Sequence, residues 1–443
     1  MDKNKNKKRL NKSFFIENYG CKMNVSDSEI VTSILLKNGF LLSENLEKAN
    51  IILFNSCSVR EKAELTLRNR LDELQSLKKK KNLLLGVIGC LSKKNRDFFL
   101  EEKKIDFFVD PSSYNELTNY IHYSTIGKKY SHSTQRKGKE SYTNISPFRI
   151  KKRVTTFLSI TRGCNNMCTF CIVPFTRGRE ISSDPNYIIQ ECEKLYKNGC
   201  KEITLLGQNV DSYQWNDINF SDLLNILAKK IPMMRIRFST SNPHDMSDDV
   251  LTAISKNPNI CKHIHLPVQS GSNKILKLMN RKYTREKYIS LIKRIRKIIP
   301  ECSISHDIIT GFCNENENDH KETINLMNQI KYNYGYMFSY SPRPGTYAYR
   351  KLQDNVPQEV KKTRLKEIID LQRKHSLLRM KEYLGKIQEI LIEGESKKNN
   401  QYWYGRNTQN LVAVFPKGFY KIGDIAHIKI IETTSATLIG KTI

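Results

Sequence analysis

Along residues 12 to 128, short apolar runs alternate with longer stretches in which apolar residues recur every three or four positions. Ser13 to Asn18, Ile51 to Asn55 and Leu83 to Ile88 have the length and near-continuous apolar character of buried strands. Between them, Ser26 to Asn38 and Val59 to Lys78 carry helical spacing behind polar starts. Strand, helix, strand, helix, strand predicts a parallel sheet with right-handed crossovers, an α/β fold. Residues 129 to 149 lose this periodicity and are rich in Lys, Ser, Thr, Gly and Tyr, the texture of a linker.

The alternation restarts in residues 150 to 379. Strands are predicted at Thr155 to Ile160, Ile203 to Leu206, Arg235 to Ser239, His263 to Leu266, Ser303 to Ile308 and Tyr336 to Ser339. Helical stretches separate them, among them Pro185 to Lys197, Ser221 to Lys229 and Asp248 to Lys256, with Ser221 and Ser247 as expected caps. Six such units predict a partial (β/α)6 barrel. Pro357 to Leu384 reads as a long helix, and residues 380 to 443 then change texture. Five short alternating runs, Lys386 to Ile392, Gln401 to Gly405, Leu411 to Phe415, Ala426 to Ile431 and Ala436 to Ile443, predict a small antiparallel barrel.

Composition adds a partner class. The chain has 443 residues, enough for about three domains with a substantial core. Its 74 Lys and Arg against 45 Asp and Glu give a net charge of +29, a field that attracts phosphate backbones. Lys, Asn and Ile are abundant throughout, so a compositional bias explains the same charge without nucleic acid. The runs Lys3 to Lys12 and Lys78 to Lys81 read as solvated tails or faces. The basic N-terminus has no apolar signal segment, and no 18-residue apolar run occurs, which predicts a cytoplasmic protein without a membrane span.

Eleven cysteines in a long chain without a signal segment point to metal binding or catalysis rather than disulfides. Cys164, Cys168 and Cys171 fall within one short loop, Thr161-Arg-Gly-Cys-Asn-Asn-Met-Cys-Thr-Phe-Cys171, directly after the first strand of the second set. Three thiolates bind three irons of a four-iron cube and leave the fourth open to a small molecule. A zinc knot needs a fourth Cys or His nearby, and His132 and His244 are distant. A second trio follows the three N-terminal strands: Cys21 after Tyr19-Gly20, Cys57 after Asn55-Ser56 and Cys90 after Ile88-Gly89. The carboxyl ends of parallel strands share one edge, so these thiols are expected to converge as a second cluster site. Gly20 and Gly89 permit a close approach or sharp turn there. Cys192, Cys200, Cys261, Cys302 and Cys313 share no such spacing and read as structural.

The Cys-x3-Cys-x2-Cys spacing, with Phe170 before the last Cys, resembles the radical S-adenosylmethionine (SAM) enzymes. The continuation Ile-Val-Pro174-Phe-Thr-Arg-Gly178-Arg-Glu180 narrows the likeness to the methylthiotransferases. Tyr-Gly-Cys21-Lys-Met-Asn-Val-Ser-Asp-Ser-Glu and Asn-Ser-Cys57-Ser-Val-Arg resemble that family's N-terminal domain. The resemblance implies two [4Fe-4S] clusters, one on Cys164, Cys168 and Cys171 and an auxiliary one on Cys21, Cys57 and Cys90. It also implies SAM, two molecules per turnover, one cleaved to a 5'-deoxyadenosyl radical. Gly207, Gln208 and Asn209 are similar to the segment near the SAM amino group, and Phe170 and these three are the expected SAM contacts. His265-Leu-Pro-Val-Gln-Ser-Gly271 and Asn280-Arg-Lys-Tyr-Thr284 match further family segments.

The C-terminal run resembles the TRAM domain, a tRNA-binding module. Tyr402, Trp403, Tyr404 and Phe419 with Arg406, Lys417 and Lys421 are residue types that stack bases or hold phosphates, and Trp403 is expected to fill the barrel core instead. Asn-Asn-Met-Cys-Thr-Phe-Cys171 with Leu-Gly-Gln-Asn-Val210 looks like the branch that adds a methylthio group to C2 of N6-isopentenyladenosine 37 in tRNA. The implied partners are the tRNA anticodon loop, an electron donor such as flavodoxin or ferredoxin, and a sulfur donor. The rivals are a sister enzyme acting on threonylcarbamoyladenosine 37 and a non-catalytic iron-sulfur protein that binds RNA. No general base is identifiable. Where the family reads Asp-Ile-Ile-Val-Gly-Phe-Pro-Gly-Glu-Thr, this chain has Asp307-Ile-Ile-Thr-Gly311-Phe312-Cys313-Asn314-Glu315-Asn316, which is expected to alter that loop's stability before its activity.

Overall fold

The computed structural model describes residues 12–57, 61–91, 93–102, 104–128, 145–149 and 153–443. Most of the expected linker and the basic run before Lys12 lie outside them. The described chain forms two compact units. The first comprises the described part of Met1–Lys151 with Arg162–Asn165 and Ile172–Asp184, and the second comprises the remainder.

In the first unit, β1 (Ser13–Tyr19), β2 (Leu41–Leu42), β3 (Ile51–Ser56), β4 (Leu84–Gly89) and β5 (Phe107–Val109) form one parallel sheet in the order β2-β1-β3-β4-β5. Alternate residues face opposite sides of a strand. Ile51 and Leu53 therefore pack with helix α1 (Lys22–Lys37), while Ile52 and Phe54 pack on the other face with α2 (Glu61–Lys81). A sheet covered on both faces explains why its strands are nearly continuous apolar runs. The order reverses between β1 and β3, the point at whose carboxyl edge doubly wound sheets open a crevice. The edge strands β2 and β5, of two and three residues, were not expected from the pattern and are too short to show one.

In the second unit, Thr155–Ser159, Glu202–Leu206 and Arg235–Ser239 form one parallel sheet, and His263–His265, Ser303–Thr310 and Tyr334–Ser339 another. A parallel bridge between Ile236 and Ile260 and a hydrogen bond from Ser241 N to His265 O at 3.1 Å join them. The six strands follow chain order in a partial barrel, as expected. Ser247 caps the helix Asp248–Lys256. Ser221 is not a cap. Asn219 caps Phe220–Lys230 instead, accepting from Asp222 N while Asp222 reaches back to Asn219 N, a reciprocal box that Ser221, already the second residue of the helix, is not placed to form.

The helix Gln358–Lys381 leads to five strands, Ile387–Glu395, Tyr402–Arg406, Val412–Pro416, Ile425–Thr433 and Thr437–Thr442, that close into a barrel. Four seams are antiparallel and one, between Val412–Pro416 and Thr437–Thr442, is parallel. Trp403 lies in the barrel core, as expected. The barrel's turn at 406–410 sits against the amino ends of the central strands. Arg237 Nη1 and Nη2 donate to the carbonyls of Thr408 and Asn407 at 2.9 and 2.5 Å, and Arg235 Nη1 to that of Arg406 at 3.0 Å.

Candidate functional site

Tyr19, Ser56 and Gly89 share one register row across β1, β3 and β4. Cys57 and Cys90 therefore leave the sheet at the same level, and Cys21 two residues past its strand, all at the carboxyl edge beside the order reversal. Cys57 and Cys90 are buried and Cys21 is partly open. Two asparagines fix this edge. Asn24 Oδ1 accepts from Cys21 N at 3.0 Å and from its thiol at 3.3 Å, and Asn24 Nδ2 donates to Asn55 Oδ1 and Ser56 O at 2.7 and 2.9 Å. Asn55 Nδ2 returns a bond to Asn24 O at 2.7 Å. A Cβ on Gly20 would meet Asn24 Oδ1 at 2.1 Å, and Gly89, at φ +95, has Asn55 Oδ1 and Ser56 O at 2.6 Å, so both glycines are required.

The thiol of Cys21 is pulled down to about 6, chiefly by a hydrogen bond with Cys57 and against the effect of burial, with the Arg177 guanidinium assisting. Burial pushes the Cys90 thiol up, and Arg177 opposes that by charge and by an Nε bond to its sulfur at 3.0 Å. Iron takes thiolates, and an edge that favours the anion at one sulfur and brings a cation to another suits that donor set. Among the described residues no three His, Cys, Asp or Glu side chains converge on a single-ion site. A cube, three of whose irons each take one thiolate, does not require that convergence.

The second cysteine trio is held from two segments. Within the first unit, Cys164 N donates to Gly178 O at 3.2 Å and Glu180 N to Asn165 Oδ1 at 3.3 Å, so the stretch after Pro174 supports the start of the loop. Within the second, Thr169 N and Oγ1 donate to the carbonyls of Met279 and Leu278 at 3.1 and 2.8 Å, and Asn280 Nδ2 to that of Met167 at 3.0 Å. Arg281 Nη1 reaches the Cys168 sulfur at 3.4 Å. These contacts account for the Asn280-Arg281 segment as the brace of the cysteine loop. Phe170 packs edge-on against Phe312 at 6.3 Å.

Gly207, Gln208 and Asn209 follow the second central strand. Asn209 Nδ2 donates to Asp245 Oδ2 at 2.7 Å, and its carbonyl accepts from Thr161 Oγ1 at 3.2 Å. The side-chain oxygens of Gln208 and Asn209, and that of Gln269 after the fourth strand, are buried with no hydrogen-bond partner among the described residues. Orphaned acceptors are costly, and an ammonium group such as that of SAM would satisfy them. Sequence reasoning missed Asp211. Buried and bonded by Ser241 Oγ at 3.1 Å and Asn242 N at 3.0 Å, it is pushed up to about 8 by desolvation. Its place four residues past Gly207 was the available signal.

The departing loop forms a turn at Cys313 and Asn314. Asn314 stands at φ +63, a left-handed conformation that asparagine tolerates better than other side chains, and exchanges bonds with Asn355 at 2.8 and 2.9 Å. The five remaining cysteines are all buried, with Cys261 and Cys302 pushed up to about 11 and 12 by desolvation, as inert structural thiols are. In the small barrel, Lys417 lies 4.4 Å over the Trp403 ring and bonds Glu395, and Arg406 bonds Glu393, while Phe419 is fully exposed.

Three family descriptions match in order: uncharacterized protein family UPF0004 over residues 13–110, the radical SAM superfamily over 158–327 and the TRAM domain over 381–443. A tRNA-2-methylthio-N(6)-dimethylallyladenosine synthase from Karelsulcia muelleri is 56% identical over 97% of this chain and 99% of its own. One from Christiangramia forsetii is 52% identical over 99% of this chain and 95% of its own. Among solved structures, the radical SAM methyltransferase TsrM of Kitasatospora setae, with cobalamin and a [4Fe-4S] cluster, gives a TM-score of 0.58 at 11% identity over 77% of this chain and 74% of its own, a likeness of fold.

Proposed function

The chain belongs to the tRNA-2-methylthio-N(6)-dimethylallyladenosine synthases, and from that premise we propose which of its residues perform the reaction. It is a transferase of the radical SAM class that uses SAM and [4Fe-4S] clusters to add a methylthio group to C2 of N6-isopentenyladenosine in tRNA. We place that base at position 37, beside the anticodon. Cys164, Cys168 and Cys171 hold the radical cluster, and Cys21, Cys57 and Cys90 the auxiliary one. Residues 12–128 carry the auxiliary site, 150–379 the radical chemistry and 380–443 the RNA contact, with 129–149 as linker. When bound, the clusters and SAM supply the deoxyadenosyl radical that takes hydrogen from C2, the sulfur, and from a second SAM the methyl group.

The chain's own residues prepare those sites. Asn24 and Asn55 set the spacing of the auxiliary thiols, and Asn280 and Arg281 brace the loop of the radical trio. Gly207, where a Cβ would meet Thr161 Oγ1 at 2.0 Å, contributes its backbone to the SAM site, Gln208 and Asn209 offer their orphaned oxygens to the SAM ammonium, and Phe170 lines the cysteine loop. An electron donor such as flavodoxin or ferredoxin and a separate sulfur donor complete the system. No helix among the described residues is long and apolar enough to cross a membrane, and we read the enzyme as cytoplasmic.

The observation that carries the assignment is the shared register of Cys57 and Cys90 at one sheet edge, with Cys21 bound to that edge through Asn24 and Asn55. Anaerobic reconstitution with iron and sulfide, then reduction with SAM and hypomodified tRNA, tests it by nucleoside mass spectrometry. We expect methylthio-isopentenyladenosine from the parent and none from Cys57→Ala or Cys164→Ala. Deoxyadenosine must persist in Cys57→Ala and vanish in Cys164→Ala; the reverse pattern would refute the division between the trios.

A further inference from the structure

Three buried charges beside the Cys21, Cys57 and Cys90 edge take no part in the roles assigned above. Asp27, on α1 and wholly buried, accepts from Arg162 Nη1 at 2.8 Å and from Arg177 Nη2 at 2.7 Å. The two arginine side chains are 3% and 4% exposed. Arg177 continues to Cys90, with Nε 3.0 Å from the sulfur. Withdrawing three charges from water is costly, and replacing such a triad by apolar residues is often neutral or stabilising, so stability alone is a weak reason for it. The Arg177 guanidinium carries its positive charge in a medium of low dielectric, where its field reaches further than in water. Arg177 also has its orientation fixed, because one edge of its planar fork is bound to Asp27 while Nε faces the sulfur.

We propose that Arg177 is a positioning residue that sets the reduction potential of the auxiliary cluster by donating Nε–H to the ligating sulfur of Cys90, with Asp27 and Arg162 fixing its direction. The inference rests on the assignment of Cys90 as a cluster ligand. Reduction adds one electron to the cluster, supplied by the external donor the reaction already requires. No bond forms or breaks at Arg177, which remains protonated throughout. Hydrogen bonds to cluster sulfurs and nearby positive charge favour the more negative, reduced state and hold the potential up.

The test uses the full chain carrying Cys164→Ala, Cys168→Ala and Cys171→Ala, so that only the auxiliary cluster assembles, with its midpoint potential read by redox titration under electron paramagnetic resonance. Adding Arg177→Met is expected to shift the midpoint to more negative values at unchanged iron and sulfide content. Arg177→Lys is expected to shift it less, because an ammonium keeps the charge without the in-line planar donor. An unchanged midpoint in iron-replete Arg177→Met overturns the proposal. Should Arg177→Met fail to retain iron, Arg177→Lys decides: retained iron with a negative shift supports the proposal, and retained iron with an unchanged midpoint overturns it. Loss of iron from both variants also overturns it, since Arg177 is then a structural residue. No auxiliary cluster in the triple-alanine parent overturns the ligand assignment itself, and this inference with it.

Discussion

Asn314 holds the left-handed position of its turn and bonds Asn355 from both its backbone and its side chain. A left-handed conformation costs an ordinary L-residue roughly 1–2 kcal/mol, and Asn reduces that by its short polar side chain. Asn314→Ala is expected to lower stability by about 1–2 kcal/mol in denaturant unfolding, and Asn314→Gly to leave it nearly unchanged. Asp211 carries a pH prediction. Its folded carboxyl, at about 8, lies above the unfolded value of 3.8, so the folded state binds the extra proton between these values. The contribution of this one group to stability is therefore full below pH 3.8 and is lost as pH rises toward 8. Asp211→Asn copies the protonated form, with its amide oxygen available to Asn242 N. In protein without SAM it should match the parent near pH 4 and exceed it by an amount on the order of 4 kcal/mol at pH 7. Equal stability at both pH values, by urea titration, would remove the argument that this acid is held neutral. Neither residue announced this behaviour in the sequence. A positive φ and a buried acid both depend on neighbours that periodicity does not reveal.

Among elements, the strands were the most legible, because a sheet buried on both faces writes continuous apolar runs and a barrel strand is followed by a helix of regular spacing. Arg235–Ser239, Pro185–Lys197 and Asp248–Lys256 fall where the pattern put them, and the other predicted strands and helices differ by a few residues at their ends. What remained hidden was cross-chain. Asn24 and Asn55 are 31 residues apart, and nothing in either neighbourhood marks them as partners. Arg237 is the same kind of case. Set within a strand, it joins Glu202 at 2.7 Å and two carbonyls of the barrel turn, and both ionic side chains are at most 6% exposed. Arg237→Ala strands a buried carboxylate and those carbonyls, for an expected loss of about 3–5 kcal/mol. In the double variant with Glu202→Ala, the loss should be clearly smaller than the sum of the two single losses, which a double-mutant cycle measures.

On the scale of the whole molecule, the net charge of +29 bears on tRNA binding. If lysines and arginines neutralise several phosphates, affinity falls linearly in logarithm with salt, roughly 100-fold to 1,000-fold between 50 and 200 mM. A flat response in filter binding would assign the basic excess to composition alone. The Asp27 network has a consequence of another kind. Its arginines lie 135 and 150 residues further along the chain. A nascent chain that has emerged only through residue 151 holds a carboxylate destined for a dry interior and neither of its counter-ions. Such long-range closure is entropically slow. The amino-terminal unit therefore reaches its native state only after synthesis has passed the cysteine loop, and expressing it as a separate fragment should yield an incompletely folded product.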